Sequence, residues 1–125
     1  MKLRQEEIIN FLNQLGPFDW AVTMNLMKRH PYYQTSLTPQ IFEQTGRHYF
    51  SMVNKAVFKR KYRYGHEKLK GIFCMEIGDI EKQPHLHYAI GCDDWVIKEK
   101  VLYELKKAHR KIDWAKGNIH ITPYG

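Results

Sequence analysis

Two histidines one residue apart, His85-Leu86-His87, and an upstream glutamate, Glu76, are the residues of this 125-residue chain whose types and spacing suggest chemistry. In an extended strand alternate side chains share a face, so His85 and His87 point together and Leu86, Tyr88 and Ile90 point away. Glu76 belongs to a preceding apolar run from Gly71 to Ile77. There Phe73, Met75 and Ile77 form one row, and Ile72, Cys74 and Glu76 the other. The segment Gly78-Asp79-Ile80-Glu81-Lys82-Gln83 is rich in turn formers, which predicts a hairpin. Its simplest closure pairs Ile77 with Pro84, setting Glu76 opposite His85 and Cys74 opposite His87. A slip of one residue would carry Glu76 to the other face. Two imidazoles and a carboxylate on one face can hold a divalent cation. Mixed nitrogen and oxygen ligation suits Mn²⁺ or Mg²⁺, with water or phosphate oxygens completing the shell, and ligand type also admits zinc. Such an ion acts as a Lewis acid on a phosphodiester. The competing reading is a pair of histidines on a solvated sheet surface, because a chain with seven histidines readily contains one such pair by chance.

The elements that must position these residues are legible in outline. Residues 5–15 predict a short amphipathic helix stopped by Gly16-Pro17. Residues 18–26 alternate as a strand, with Trp20, Val22, Met24 and Leu26 on one side and Asp19, Ala21, Thr23 and Asn25 on the other. After a polar loop over 28–37, Thr38 is a good N-cap and Pro39 a good first residue for a helix to about Lys59. Its apolar stripe is Phe42, Tyr49, Val53, Ala56 and Val57. Beyond the hairpin, Asp93 or Asp94 can cap a helix to about Arg110, striped with Ile97, Val101, Leu105, Ala108 and Ile112. Residues 118–122 predict a last strand. The length allows one domain with one core.

Twenty Lys and Arg against 13 Asp and Glu give a formal charge of +7, which favours an anionic partner, nucleic acid above all. Lys55, Lys59, Arg60, Lys61 and Arg63 form a basic run that can grip phosphates, although a solvated helix end reads the same way. Thr23 and Asn25 share the histidine face if strand 18–26 lies beside the histidine strand, and would then contact DNA. Trp20, Tyr32 and Tyr33 are candidates for base stacking, with Trp20 better suited to the core. His48, His66, His109 and His120 have no visible partner. The two cysteines have no metal-binding spacing, which fits a reducing, cytoplasmic setting. No secretory leader or run of membrane-spanning length is visible.

With these elements in place, the chain resembles a rolling-circle replication initiator of the HUH endonuclease superfamily. The resemblance rests on Val22-Thr23-Met24-Asn25-Leu26 as a first motif strand, then a helix. A hairpin follows in which Cys74-Met75-Glu76-Ile77 precedes Gln83-Pro84-His85-Leu86-His87-Tyr88. It covers roughly residues 18 to 122. It implies an α+β fold with a central antiparallel sheet flanked by helices, built on a ferredoxin-like or RRM-like core. It implies Glu76, His85 and His87 as ligands of Mn²⁺ or Mg²⁺, and metal-dependent nicking and joining of single-stranded DNA at an origin hairpin, in company with a replisome or helicase. It places the protein in the cytoplasm of a bacterial host of a plasmid or phage, or in the nucleus if viral. Such enzymes attack with a tyrosine on a helix after the histidine strand. Tyr103, in Tyr103-Glu104-Leu105-Lys106-Lys107, fits locally but comes early and lies opposite the apolar stripe of its helix. Tyr124 is a weaker fit still. The resemblance therefore implies a nucleophile helix beginning after Gly125, with the chain a fragment that binds metal and DNA but cleaves poorly.

Two other classes compete: a basic nucleic-acid-binding module without chemistry, and a metal-dependent phosphodiesterase with paired histidines. The latter would be supported by paired H-x-[ST] motifs, of which the sequence holds one, His120-Ile121-Thr122.

Overall fold

The computed structural model describes residues 15–78 and 82–124. The expected helix over 5–15 falls almost wholly outside them. Four strands, β1 (Trp20–Leu26), β2 (Lys70–Ile77), β3 (Pro84–Gly91) and β4 (Ala115–Pro123), form one sheet in the order β2-β3-β1-β4. Each neighbouring pair is antiparallel. Helix α1 (Pro39–Phe58) and a one-turn α2 (Arg60–Arg63) connect β1 to β2. A 3-10 turn (Trp95–Ile97) and helix α3 (Lys98–His109) connect β3 to β4. The fold is α+β, and its connectivity is the split β-α-β arrangement of ferredoxin-like domains.

The local signals act as their chemistry suggests. Thr38 Oγ1 accepts the Ile41 amide at 3.2 Å, and Pro39 opens α1. Asp94, rather than Asp93, caps the turn before α3 by accepting the Val96 amide at 3.0 Å. Apolar residues on one face of the sheet meet the helical stripes. Val22, Met24 and Leu26 of β1, with Leu86, Tyr88 and Ile90 of β3, pack beneath Phe42, Tyr49, Val53 and Val57 of α1 and Val101, Leu105 and Ala108 of α3. Each such buried aliphatic or aromatic side chain contributes on the order of 2 kcal/mol. The polar ends of buried tyrosines are satisfied, with Tyr49 donating to Leu105 O at 2.6 Å and Tyr88 to Gly46 O at 2.9 Å. Buried Asn54 accepts the Leu69 amide at 2.7 Å and so ties the end of α1 to the start of β2.

His109 is the exception. It is buried at the end of α3, and its Nε2 has no hydrogen-bond partner among the described residues. Burial, reinforced by the Arg110 charge, holds the ring's pKa below its ordinary value, so the folded state prefers the neutral ring. Protons therefore bind more readily to the unfolded chain. This contribution is full above the unfolded value of about 6.5, declines as pH falls through it, and levels off below the depressed folded value. The urea midpoint should fall between about pH 7 and pH 5, and less steeply in His109→Leu. Equal pH slopes in the two proteins would remove His109 as the cause.

Candidate functional site

The hairpin closes as its residue pattern demands. Ile77 pairs with Pro84, Glu76 with His85, Cys74 with His87 and Ile72 with Ala89. The β1 strand lies on the other side of β3, with Thr23 opposite His87 and Asn25 opposite His85. Because β1 and β3 turn their apolar residues toward the helices, Glu76, His85, His87, Thr23 and Asn25 all stand on the opposite face. No described helix packs there.

The side chains on this face are connected. Glu76 Oε2 lies 3.1 Å from His87 Nε2. Thr23 Oγ1 lies 3.2 Å from His87 Nδ1, and Asn25 Oδ1 accepts from His85 Nδ1 at 2.5 Å. The Asn25 carbonyl cannot donate, so it holds His85 with a proton on Nδ1, which in the neutral ring leaves the lone pair on Nε2. Thr23 is more permissive. Its hydroxyl can donate to Nδ1 while His87 Nε2–H faces Glu76, or accept from Nδ1–H when the Nε2 lone pair is required. Partners of this kind on the far ring nitrogen orient metal-binding histidines. The Cys74 thiol is pushed above its ordinary pKa by burial and then by the Glu76 carboxylate, so it enters this face as a neutral group.

Among the described residues, no group of three His, Cys, Asp or Glu side chains is gathered closely enough to hold a metal ion as it stands. The donor types, two imidazoles and a carboxylate, nevertheless suit one. Donors about 2.1 Å from one ion and at right angles around it stand about 3 Å apart, which is the spacing of Glu76 and His87. The third donor stands apart from that pair. The His85 and His87 ring centroids are 5.8 Å apart. A Cβ at Gly78 would come within 3.0 Å of His85 Nε2, so the glycine leaves that lone pair accessible. Replacing both supports, as Thr23→Val with Asn25→Leu, should weaken Mn²⁺ binding about 10- to 100-fold with all three donors intact. Titration calorimetry on the double variant measures this, and unchanged affinity would show that the supports do not orient the rings.

Two expected contributors lie elsewhere. Tyr103 is 57% exposed on α3, with Lys107 Nζ 5.9 Å from its ring centroid. That helix covers the apolar face, so the sheet separates Tyr103 from the histidines and the residue is not placed to attack a phosphate held by them. Tyr124 sits beside Phe18, and its amide bonds Asp19 O at 3.0 Å. This is about 20 Å along β1 from Asn25. The basic run Lys55, Lys59, Arg60, Lys61 and Arg63 belongs to the end of α1 and to α2, next to the start of β2. Glu76 is near the other end of that strand, again about 20 Å away. The run therefore does not border the histidine face at the metal donors.

In their place the structure brings His120 opposite Thr23 and Lys116 opposite Asn25. The register shifts between these two pairs, next to Gly117 with its φ of +70°. Lys116 Nζ contacts Gln83 Oε1 at 3.1 Å, and Gln83 donates to Leu26 O, closing this end of the sheet. Strand phase in the last segment was the available signal for His120, but it does not say that this strand pairs with β1. The chain matches no protein-family model, no characterised protein and no solved structure.

Proposed function

We propose that this domain is a metal-dependent enzyme that nicks single-stranded DNA, using the open sheet face as its metal-holding half-site; rejoining would need a tyrosine nucleophile, which neither Tyr103 nor Tyr124 is placed to supply. The observation that carries the reading is the register placing Glu76, His85 and His87 on one face, with Asn25 and Thr23 on the far nitrogens of the two rings. Incidental surface histidines need no such partners. The formal charge of +7 favours a polyanionic substrate. Glu76, His85 and His87 would hold Mn²⁺ or Mg²⁺, which when bound supplies Lewis-acid polarisation of the scissile phosphodiester. Asn25 and Thr23 keep the imidazoles in the required orientation. Lys116 and His120 stand on the same face, where a cationic or proton-donating group can meet a phosphate oxygen.

The test is cleavage of a labelled single-stranded origin-type hairpin in Mn²⁺. Slow nicking that requires the metal and disappears in His85→Ala/His87→Ala is expected, with Tyr103→Phe as active as the parent. Cleavage that persists in the double variant would sink the assignment. A covalent protein–DNA adduct lost in Tyr103→Phe would overturn the exclusion of that tyrosine. DNA binding that is tight, metal-independent and never followed by cleavage would favour a binding module.

A further inference from the structure

The loop after β1 is built more firmly than its polar sequence suggests. Arg29 and Ser36 form an isolated antiparallel bridge, and the His30 amide bonds Thr35 O at 2.8 Å. His30 itself is buried. Its Nδ1 accepts the amides of Tyr32 and Tyr33 at 3.1 and 3.2 Å, and its Nε2 lies 3.6 Å from Asp113 Oδ2. Its ring packs against Tyr33 at 4.8 Å and edge-on to Trp114 at 5.2 Å. The loop thus presents Tyr32 and Tyr33, 77% and 79% exposed, on a fixed backbone. Rigidly held, exposed aromatics lower the ordering cost of a contact.

Beside Tyr33 is a cavity of about 430 Å³ between this loop, α1 and the segment joining α3 to β4. Tyr33 and Trp114 line it together with Gln44, His48, Lys111 and Asp113. This size is within the range of small-ligand sites. The walls combine aromatic surface with hydrogen-bonding groups that suit the edge of a heterocycle, and Lys111 supplies positive charge at the border. The loop leaves β1 just beyond Asn25, so His30 is at most about 17 Å of extended chain from that residue.

We propose that this cavity receives an unstacked base of single-stranded DNA, with Tyr33 as the stacking surface and Gln44, His48 and Asp113 meeting the base edge. The proposal rests on the reading of the sheet face as a DNA-processing site, and adds to it a separate contact that grips the strand through a base rather than a phosphate. Base–aromatic stacking is sequence-tolerant, whereas the polar groups at the edge give a preference among bases.

The test compares binding, without metal, of a short mixed-sequence DNA single strand and of an abasic sugar-phosphate strand of equal length to the full chain. The parent should prefer the base-bearing strand by about tenfold. Tyr33→Ala should lose most of that preference and His48→Ala part of it, with melting temperatures within a few degrees of the parent because both side chains are largely exposed. Tyr33→Phe should retain it. An undiminished preference in Tyr33→Ala overturns the base site and leaves the proposed function standing. A Tyr33-dependent preference in a protein that never cleaves DNA supports the base site and overturns the function. Failure of the parent to bind either strand without metal overturns the base site, and failure to bind with Mn²⁺ present overturns the function as well.

Discussion

Replacing His85 and His87 together by alanine is expected to abolish the stabilisation that Mn²⁺ gives the parent protein. A ligand that binds only the folded state stabilises by RT ln(1 + [L]/Kd), about 2.7 kcal/mol at a hundredfold excess over Kd. For a domain of this size that corresponds to a rise in Tm of about 10 °C. Both histidines are only partly buried, and their rings meet Asn25, Thr23 and Glu76 rather than the core. The metal-free double variant should therefore melt within a few degrees of the parent, which separates loss of the ion from loss of the fold. Glu76→Gln should behave in the same direction with a smaller effect, because the amide keeps one neutral oxygen donor. A metal-induced rise that survives in the double variant would place the ion elsewhere.

The largest effect on the fold is expected from Gly91→Ala. Gly91 ends β3 opposite Lys70, where the chain leading into β1 crosses close by. A Cβ there would overlap the Pro17 carbonyl oxygen and approach Phe18 Cα to 3.1 Å. Both obstacles are backbone, held by the Asp19 amide bonding Ile90 O at 2.8 Å, so relief requires the strand ends to separate. We expect a loss of about 3 kcal/mol or more. Gly46→Ala is the comparison: the nearest atoms to its Cβ belong to the Phe73 side chain, at 2.5 Å, and a partly buried ring can turn aside. Chemical denaturation should therefore rank Gly91→Ala well below Gly46→Ala. Similar midpoints for the two variants would contradict the backbone crossing.

The parts of the site visible in the sequence were those fixed by local rules. Alternation from Gly71 to Ile77 and from Pro84 to Ile90, with a short turn-rich connection between them, leaves one register that sets both apolar rows on one face, although Met75 and Ile77 on the edge strand stay exposed. The structure has that register, with Glu76 opposite His85. The caps of α1 and of the turn before α3 were legible for the same reason, since Thr38 and Asp94 bond amides two or three residues on. Long-range placement was not legible. Nothing local says that Asn54 ties the end of α1 to Leu69, which carries the basic run away from Glu76. Lys116 and His120 share one strand phase, but nothing local says that this strand lies beside β1, which is what brings them to the histidine face. The 28–37 segment read as an ordinary polar loop because its organising contacts, from His30 to Asp113 and Trp114, join residues far apart in the chain.

The most direct measurement on the central claim is paramagnetic broadening by Mn²⁺ of the histidine ring signals, followed by NMR with His85 and His87 assigned through single substitutions. At substoichiometric Mn²⁺ the His85 and His87 resonances should broaden first, His120 less, and His48, His66 and His109 least. Sharp His85 and His87 signals while another histidine broadens, or no selective broadening at all, would contradict a metal centre on this face.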